Sequence, residues 1–310
     1  MRVGSTFTGV GGADMGFEAA GMTVAWQCEL DAWKRSVLAA HYPSIPIYDD
    51  ITTLFDPEPV DLMVGGFPCQ DLSIAGKRKG FTGERSVLAF EFLRLAETLK
   101  PRWIVLENVP GLLSSNKGLD FQRLLREVAA CGYGVGYRCL DARYFGVPQR
   151  RRRIFVVARR VEAGVDPRAA SGFALQSLCE SGGGDTTPCV PPWQDTTRTI
   201  EGSVVAYRKS ARVSKPGTPE TWVEDGRANT LNSFDVGDVR TTHAVVKDCV
   251  ARRFSPTEHE ALMGWPRNWT APEGVKAPDS RRYAACGDGI VANVAYWIGQ
   301  RIMQIDKETQ

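Results

Sequence analysis

Residues 60–70 read Val-Asp-Leu-Met-Val-Gly-Gly-Phe-Pro-Cys-Gln, a short apolar run followed by two glycines and a Pro-Cys-Gln tripeptide. A brief apolar run that ends in glycines is typical of a strand buried in a parallel sheet. In open α/β sheets, ligands bind just beyond the carboxyl ends of such strands. Pro68 fixes its own φ and favours an extended Phe67, so the backbone sets the direction of the Cys69 side chain. We therefore predict a functional Cys69 at a strand end, against the alternative of a packed core cysteine.

Three units that precede this stretch are each predicted to end a strand in glycine or acidic residues. The first strand runs into a glycine-rich turn at residues 8–12, the second ends on Glu29 and the third leads to Asp50. A glycine turn between a strand and a helix lets the backbone approach a nucleotide-like ligand. Glu29 follows the turn at about the distance of the carboxylate that grips ribose hydroxyls in dinucleotide-binding folds. Together these strand ends predict an adenosine pocket, although a plain turn and a solvent-facing glutamate explain the single features.

A further buried strand is predicted at residues 103–106, and it delivers Glu107 at its carboxyl end. Because Glu107 follows an apolar run, we expect its surroundings to be partly dry. Burial disfavours the charged form of a carboxyl, so Glu107 can be held protonated or poised as an acid. A salt-bridged glutamate at a strand end is the structural alternative.

An arginine-rich run, Gln149-Arg150-Arg151-Arg152-Arg153, leads into the strand predicted at residues 154–158. Alternate side chains of an extended chain share a face, so Gln149, Arg151 and Arg153 are predicted to point one way. Arg150 and Arg152 are predicted to point the other way. One set can enter a site while the other meets phosphates or solvent.

The composition changes after about residue 161, where Gly, Pro, Asn and Thr interrupt short strand-like pieces. This pattern predicts a separate, smaller, loop-rich domain. Regular patterning returns at a capping box, Ser255-Pro256-Thr257-Glu258, and at a terminal helix in which Ile290, Val294 and Ile298 line one side. Residues 71–85 are basic and rich in glycine, so they are predicted to form a loop that closes over a polyanion, or else a plain surface loop.

The bulk composition is that of an ordinary globular protein, with 310 residues, 43% apolar residues, 24% charged residues and a net charge of +2. No apolar run approaches the ~20 residues of a membrane span, and we expect no signal peptide. The eight cysteines form no C-x-x-C pair, and the histidines do not lie near them at metal-ligand spacing. We therefore expect a metal-free protein of a reducing cytoplasm.

Five motifs occur in order along the chain: Phe7-x-Gly9-x-Gly11-Gly12, Pro68-Cys69-Gln70, Glu107-Asn108-Val109, Gln149-x-Arg151-x-Arg153 and a terminal Gly287/Val291 helix. This ordered set resembles the C5-cytosine-specific DNA methyltransferase family. The resemblance implies an α/β fold, with a Rossmann-like S-adenosylmethionine-dependent methyltransferase catalytic domain at residues 1–165 and 273–310. It also implies a second, smaller, loop-rich target-recognition domain at residues 166–272.

The resemblance assigns residues to three tasks, with S-adenosylmethionine as the cofactor and double-stranded DNA as the partner. The catalytic residues would be Cys69, Glu107, Arg151 and Arg153. Those that bind the cofactor would be Phe7, Thr8, Gly9, Gly11, Gly12, Glu29, Leu30, Asp50, Ile51, Pro68, Leu88, Asp288 and Gly289. Those that contact DNA would be Gln70, Ser73 and Arg85. Asp288 departs from the family, which usually has Asn there.

The implied reaction is methyl transfer to C5 of a flipped-out cytosine. Cys69 would add to C6, and Glu107 would contact N3 and the amino edge of the base. Arg151 and Arg153 would hold Glu107, the loop and the base. We expect a monomer, encoded by a bacterium or a phage, that associates with the nucleoid through DNA; a cognate restriction endonuclease is left open.

Three other functions are compatible with parts of the sequence. An RNA cytosine-5 methyltransferase acting on tRNA would use the same scaffold, although the large variable region favours duplex DNA. A nicotinamide dehydrogenase would explain the glycine turn and Glu29, but it gives Cys69 and Glu107 no role and needs the missing G-x-G-x-x-G. A catalytically silent DNA-binding protein would not need a thiol at a strand end.

Overall fold

The computed structural model describes most of the chain, with gaps in two regions. The described residues are 1–68, 87–162, 166–179, 191–193, 205–209, 222–224, 228–231, 243–247 and 250–309. Four residues with predicted roles lie outside these ranges, namely Cys69, Gln70, Ser73 and Arg85.

A seven-stranded sheet organises the larger part of the molecule, with strand order β3-β2-β1-β4-β5-β7-β6. Strand β7 is antiparallel to both of its neighbours, and the other neighbouring strands are parallel. The chain moves outward from β1 to β3 and then returns to the other side of β1 with β4. The gap between β1 and β4 is therefore a topological switch point, where α/β sheets open a crevice for ligands. The strands are β1 (Arg2–Thr6), β2 (Thr23–Cys28), β3 (Ile47–Tyr48), β4 (Leu62–Gly65), β5 (Trp103–Asn108), β6 (Tyr133–Asp141) and β7 (Arg152–Arg160).

Helices cover both faces of this sheet, as expected for a Rossmann-like α/β fold. Side chains alternate along β5: Trp103 and Val105 pack in a core with α1 and α8, whereas Ile104 and Leu106 pack in a second core with α3 and α4. The helices are α1 (Gly12–Ala19), α2 (Ala32–His41), α3 (Val87–Leu99), α4 (Leu119–Ala130), α5 (Pro167–Gln176), α6 (Pro256–Leu262), α7 (Asp279–Asp288) and α8 (Ala292–Glu308).

The second sheet has four antiparallel strands in the order β11-β10-β8-β9. Its strands are β8 (Val205–Lys209), β9 (Trp222–Glu224), β10 (His243–Lys247) and β11 (Val250–Arg252). Helix α5 packs on the main sheet instead, where a Cβ at Gly134 would lie 2.4 Å from the Ser171 nitrogen. The domain limits at residues 166 and 272 stay a prediction.

Most predicted elements are present up to residue 160, and their ends shift by about two residues. The expectation for the last helix is wrong in one respect, because Ile290 lies before α8 and not within it. The preceding helix α7 was not predicted, since its sequence DSRRYAACGD has few apolar residues to set a helical stripe. Among the described residues, no helix is long and apolar enough to cross a membrane.

Candidate active site

A cavity of about 590 Å³ opens at the carboxyl ends of β1, β2, β4 and β5. Its volume lies within the ~300–1,000 Å³ range of cofactor and ligand sites. The cavity also brings together Glu107 and Arg153 of the predicted catalytic set. Residues predicted to bind the cofactor that line the cavity are Phe7, Thr8, Gly9, Glu29, Leu30, Asp50, Ile51, Pro68, Leu88, Asp288 and Gly289.

Gly11 and Gly12 do not line the cavity, and they shape the turn above it. Gly11 precedes α1 with φ 87°, a left-handed conformation that favours glycine. A Cβ on Gly12 would lie 2.4 Å from the Ile290 carbonyl oxygen, so Gly12 permits close contact with the segment that joins α7 to α8. Phe7 has φ 52°, a strained value of the kind found at functional turns.

Two carboxylates line the side of the cavity formed by β2 and β3. Glu29 is only 8% exposed, and its oxygens accept hydrogen bonds from the Gly9 nitrogen at 2.7 Å and the Asp31 nitrogen at 2.9 Å. Asp50 accepts hydrogen bonds from the Thr52 nitrogen and hydroxyl, both at 2.8 Å. These bonds fix Glu29 beside the glycine turn and Asp50 beside Thr52. Such acceptors suit the hydroxyl and amino groups of a nucleoside, and the negative charge suits a cationic ligand.

Glu107 is the buried carboxyl at the end of β5, with 7% exposure. The Arg153 Nε lies 2.9 Å from Glu107 Oε1 as an ion pair, without the alignment of a hydrogen bond. Burial raises the pKa of Glu107, and the charges of Arg153 and Arg151 only partly oppose this effect. Glu107 Oε2 faces Gly66, where an added Cβ would lie 3.2 Å away. The site therefore holds a desolvated carboxyl that can exchange a proton.

Asn108 was quoted in the motif but given no task in the sequence analysis, and the structure shows what it contacts. Its Nδ2 donates to the Phe67 carbonyl at 3.2 Å, and its Oδ1 accepts from the Val109 nitrogen at 2.9 Å. These bonds tie the end of β5 to the segment that follows β4. They fix the backbone on which Pro68 is carried.

The arginine-rich run alternates as predicted, because Gln149 and Arg151 are buried whereas Arg150 and Arg152 are exposed. Arg151 and Arg153 nevertheless make different contacts. Arg153 contacts Glu107, whereas the Arg151 guanidinium donates to backbone carbonyls of Leu231, Gly287 and Gly289. Burial lowers the pKa of Arg151 to about 9. Of the two arginines predicted to hold Glu107, the loop and the base, Arg153 is the one that contacts Glu107.

Another part of the cavity lining comes from the end of α7 and the segment that joins it to α8. Asp288 lies 3.4 Å from the Lys34 ammonium, so a lysine of α2 balances the charge that Asp brings in place of Asn. Trp265 Nε1 donates to the Ile290 carbonyl at 3.1 Å and holds the same segment. Sequence reasoning missed Lys34 and Trp265, because only the fold brings them to this wall.

Among the residues that the structure describes, no group of His, Cys, Asp and Glu side chains could hold a metal ion. The donor set of the cavity fits S-adenosylmethionine instead. The glycine turn admits a ligand close to the backbone, the carboxylates offer acceptors, and Phe7, Leu30 and Ile51 supply apolar walls.

Comparisons with known proteins agree with this geometry. A family model described as C-5 cytosine-specific DNA methylase matches residues 1–180. The chain is similar to Type II methyltransferase M.Bsp6I of Bacillus sp. (strain RFL6), with 38% identity across 97% of this chain and 98% of that protein. It is also similar to Type II methyltransferase M2.BsuMI of Bacillus subtilis (strain 168), with 29% identity across 98% of this chain and 76% of that protein.

Two solved structures share the fold. The S. pombe Dnmt2 methyltransferase has a TM-score of 0.66 and 17% identity, with 98% of each chain covered. The Entamoeba histolytica methyltransferase EhMeth has a TM-score of 0.65 and 16% identity, with 100% of this chain and 99% of that chain covered. At these identities the likeness concerns the fold alone.

Proposed function

This chain belongs to the C-5 cytosine-specific DNA methylase family and is a DNA cytosine-5 methyltransferase; we propose that it forms a covalent bond from Cys69 to C6 of a flipped-out cytosine in a specific duplex sequence. The observation that supports this proposal is the shared cavity. Glu107, Arg153, Pro68, which precedes Cys69, and the predicted cofactor residues other than Gly11 and Gly12 line it. In this proposal the target cytosine and the methyl donor therefore meet in the cavity lined by Pro68, the residue before Cys69.

The reaction requires a thiolate that adds to the ring. Without this addition, C5 of cytosine is too weak a nucleophile to attack the methyl group. The Cys69 thiolate forms a bond to C6 and thereby places carbanion character at C5. The Glu107 carboxyl donates a proton or a hydrogen bond at N3, and Arg153 orients Glu107. When bound, S-adenosylmethionine supplies the methyl group. A base then removes the proton from C5, the C6–S bond breaks, and the Cys69 thiolate leaves.

Glu29 and Asp50 hold the adenosine part of the cofactor in this proposal. Glu29 accepts from the ribose hydroxyls, and Asp50 lies near the adenine amino group. Phe7, Leu30 and Ile51 supply the apolar walls on either side of the base. Each carboxylate is already fixed by backbone donors, so binding costs little side-chain entropy.

The target base must leave the duplex to reach this cavity, at a cost of a few kcal/mol. We assign sequence choice to the region at residues 166–272 and phosphate contacts to the basic residues 71–85, which include Ser73 and Arg85. Base-edge contacts specify a site, whereas phosphate contacts only position the protein. The description of the family, C-5 cytosine-specific DNA methylase, favours DNA over tRNA as the substrate.

The test is a covalent trap. The recognition sequence is first mapped by detecting 5-methylcytosine in cells that express the protein. Duplex DNA with 5-fluorocytosine at the mapped position should then form a denaturation-resistant adduct when S-adenosylmethionine is present. Cys69→Ala should form no adduct, whereas Cys131→Ala, a thiol at the end of α4, should form it like the wild type. An adduct in Cys69→Ala, or transfer to tRNA but not to duplex DNA, would contradict the proposal.

A further inference from the structure

Resting on the function proposed above, we propose that Arg151 is a positioning residue that ties the recognition region to the cofactor cavity. It does so by bonding the seam segment, which we define as residues 228–231, to the wall formed by Gly287, Asp288 and Gly289. Substitution of Arg151 should therefore weaken cofactor binding and sequence discrimination together.

Among the described residues, the hydrogen bonds of the Arg151 side chain go to backbone carbonyls. Nη1 donates to Leu231 at 3.2 Å, and Nη2 donates to Gly287 at 3.0 Å and to Gly289 at 2.6 Å. The side chain is 2% exposed, so these bonds are shielded from solvent. A planar guanidinium presents its donors in a fixed fork, so one side chain can hold two separate segments in a set geometry.

On the cofactor side, the acceptors lie at the carboxyl end of helix α7. The last carbonyls of a helix have no partner within it, and a cation there is favoured by the helix dipole. Arg151 supplies both the donor and the charge at Gly287. Asp288 and Gly289 line the cavity, so the position of this part of its wall depends on Arg151.

On the recognition side, the seam segment is docked on the residues around Arg151. The Ala228 nitrogen donates to the Pro148 carbonyl at 2.8 Å, and the Arg150 nitrogen donates to the Ala228 carbonyl at 3.0 Å. The Gln149 side chain donates to the Leu262 carbonyl at 2.7 Å, at the end of helix α6. The seam segment is thus held by several bonds, and the Arg151 side chain joins it to the cofactor wall.

Arg151 differs in this respect from Arg153, two residues further along the chain. Arg153 contacts the Glu107 carboxylate, so its loss would act on the base directly. No carboxylate oxygen of the described residues lies within salt-bridge distance of Arg151. Apart from the effect of its charge on the pKa of Glu107, substitution of Arg151 acts through the segments that it holds.

The experiment compares Arg151→Met and Arg151→Lys with a matched control, Arg159→Lys. Arg159 lies on strand β7, which begins just after Arg151, and is 7% exposed, but it stacks on Trp103 and Phe173 instead of touching the seam segment. Calorimetry gives the Kd of S-adenosylhomocysteine, and competition binding gives the preference for the mapped recognition duplex over a one-base-pair variant. We expect Arg151→Met to weaken S-adenosylhomocysteine binding about tenfold and to lower the preference for the mapped duplex about tenfold, each the equivalent of one charged hydrogen bond. Arg151→Lys should recover part of both, and Arg159→Lys should change neither by more than about twofold.

Three outcomes would overturn the inference: both quantities unchanged in folded Arg151→Met, a change in only one of them, or equal losses in Arg159→Lys. If Arg151→Met does not fold, Arg151→Lys decides by the same two measurements, since it keeps the charge and the volume. A wild-type protein that binds S-adenosylhomocysteine but does not methylate duplex DNA would instead refute the proposed function.

Discussion

The two ends of strand β5 each bury a carboxylate beside an arginine, yet the pKa values of the two carboxylates are shifted in opposite directions. At the amino end, Asp306 of α8 is 5% exposed and accepts from Arg102 at 2.6 Å and from Trp103 Nε1 at 3.1 Å. Burial alone would raise its pKa, but these bonds outweigh it and lower the pKa of Asp306. At the carboxyl end, burial wins and raises the pKa of Glu107.

Each carboxylate has one arginine in contact. Burial raises both pKa values; at Glu107 it outweighs the opposing effect of Arg153 and Arg151, whereas at Asp306 the hydrogen bonds from Arg102 and Trp103 outweigh it. Aligned donors stabilise the ionised form of Asp306 and make it a structural tie between α8 and the sheet. Glu107 lacks such donors on Oε1, so it keeps a capacity to take or give a proton. A buried carboxylate is thus poised for chemistry where the fold leaves its bonding incomplete.

The largest expected effect is at the carboxyl end. Glu107→Gln keeps the volume of the side chain but cannot donate a proton to the base, so kcat should fall by about 10²–10⁴. Single-turnover methyl transfer to the mapped duplex measures this loss, and the S-adenosylhomocysteine Kd serves as the control for folding. A kcat within about threefold of wild type would contradict the catalytic role that distinguishes Glu107 from Asp306.

At the amino end the expected effect is on stability. Asp306→Asn removes the charge that holds Arg102, so the free energy of unfolding should fall by about 1–2 kcal/mol with little change in kcat. Glu127→Gln, which disrupts an exposed pair with Arg123, should cost less than about 0.5 kcal/mol. Urea unfolding at neutral pH measures both. An Asp306→Asn variant of full stability and reduced kcat would reverse the assigned roles.

The pH dependence of the same variants sharpens the comparison. Asp306, with a lowered pKa, stabilises the fold above about pH 4, and this contribution is lost as the pH falls. Glu107, with a raised pKa, binds a proton that the unfolded chain has already lost, so its contribution declines as the pH rises above about 4.5. The penalty of Asp306→Asn should therefore shrink in acid, whereas Glu107→Gln should gain stability relative to wild type as the pH rises. Urea midpoints across this range test both signs.

The smallest expected effect concerns a third carboxylate, which shares the cavity with Glu107 but is half exposed. Asp288 pairs with Lys34 at 3.4 Å, and an exposed pair of this kind contributes about 0–1 kcal/mol. Asp288→Asn should therefore change the S-adenosylhomocysteine Kd by less than about fivefold. Lys34→Gln is the matched control, and in the double variant the effects of the two substitutions on the Kd should not add. A larger loss in Asp288→Asn alone would mean that its charge contacts the cofactor.

Local sequence patterns were sufficient for most of the main sheet and for the residues at its strand ends. The apolar run at residues 62–65 predicts β4, and the run before Glu107 predicts a buried carboxyl at the end of β5. The two-residue period of an extended chain also predicts that Arg151 and Arg152 point to opposite sides. Helix α7 could not be predicted in this way, because its buried residues Arg282, Ala285, Cys286 and Gly287 do not form an apolar stripe.

The sequence by itself determined the family, the Rossmann-like class and many of the residues that line the cavity, because these depend on periodicity and on motifs read along the chain. Only the tertiary structure decided which of those side chains meet. Arg153 contacts Glu107 while Arg151 contacts Gly287, and Lys34 pairs with Asp288 although 254 positions separate them. Such partners are set by how helices α2 and α7 pack around the sheet, since an ion pair or hydrogen bond forms only within a few ångströms. No local pattern in the chain encodes that distance.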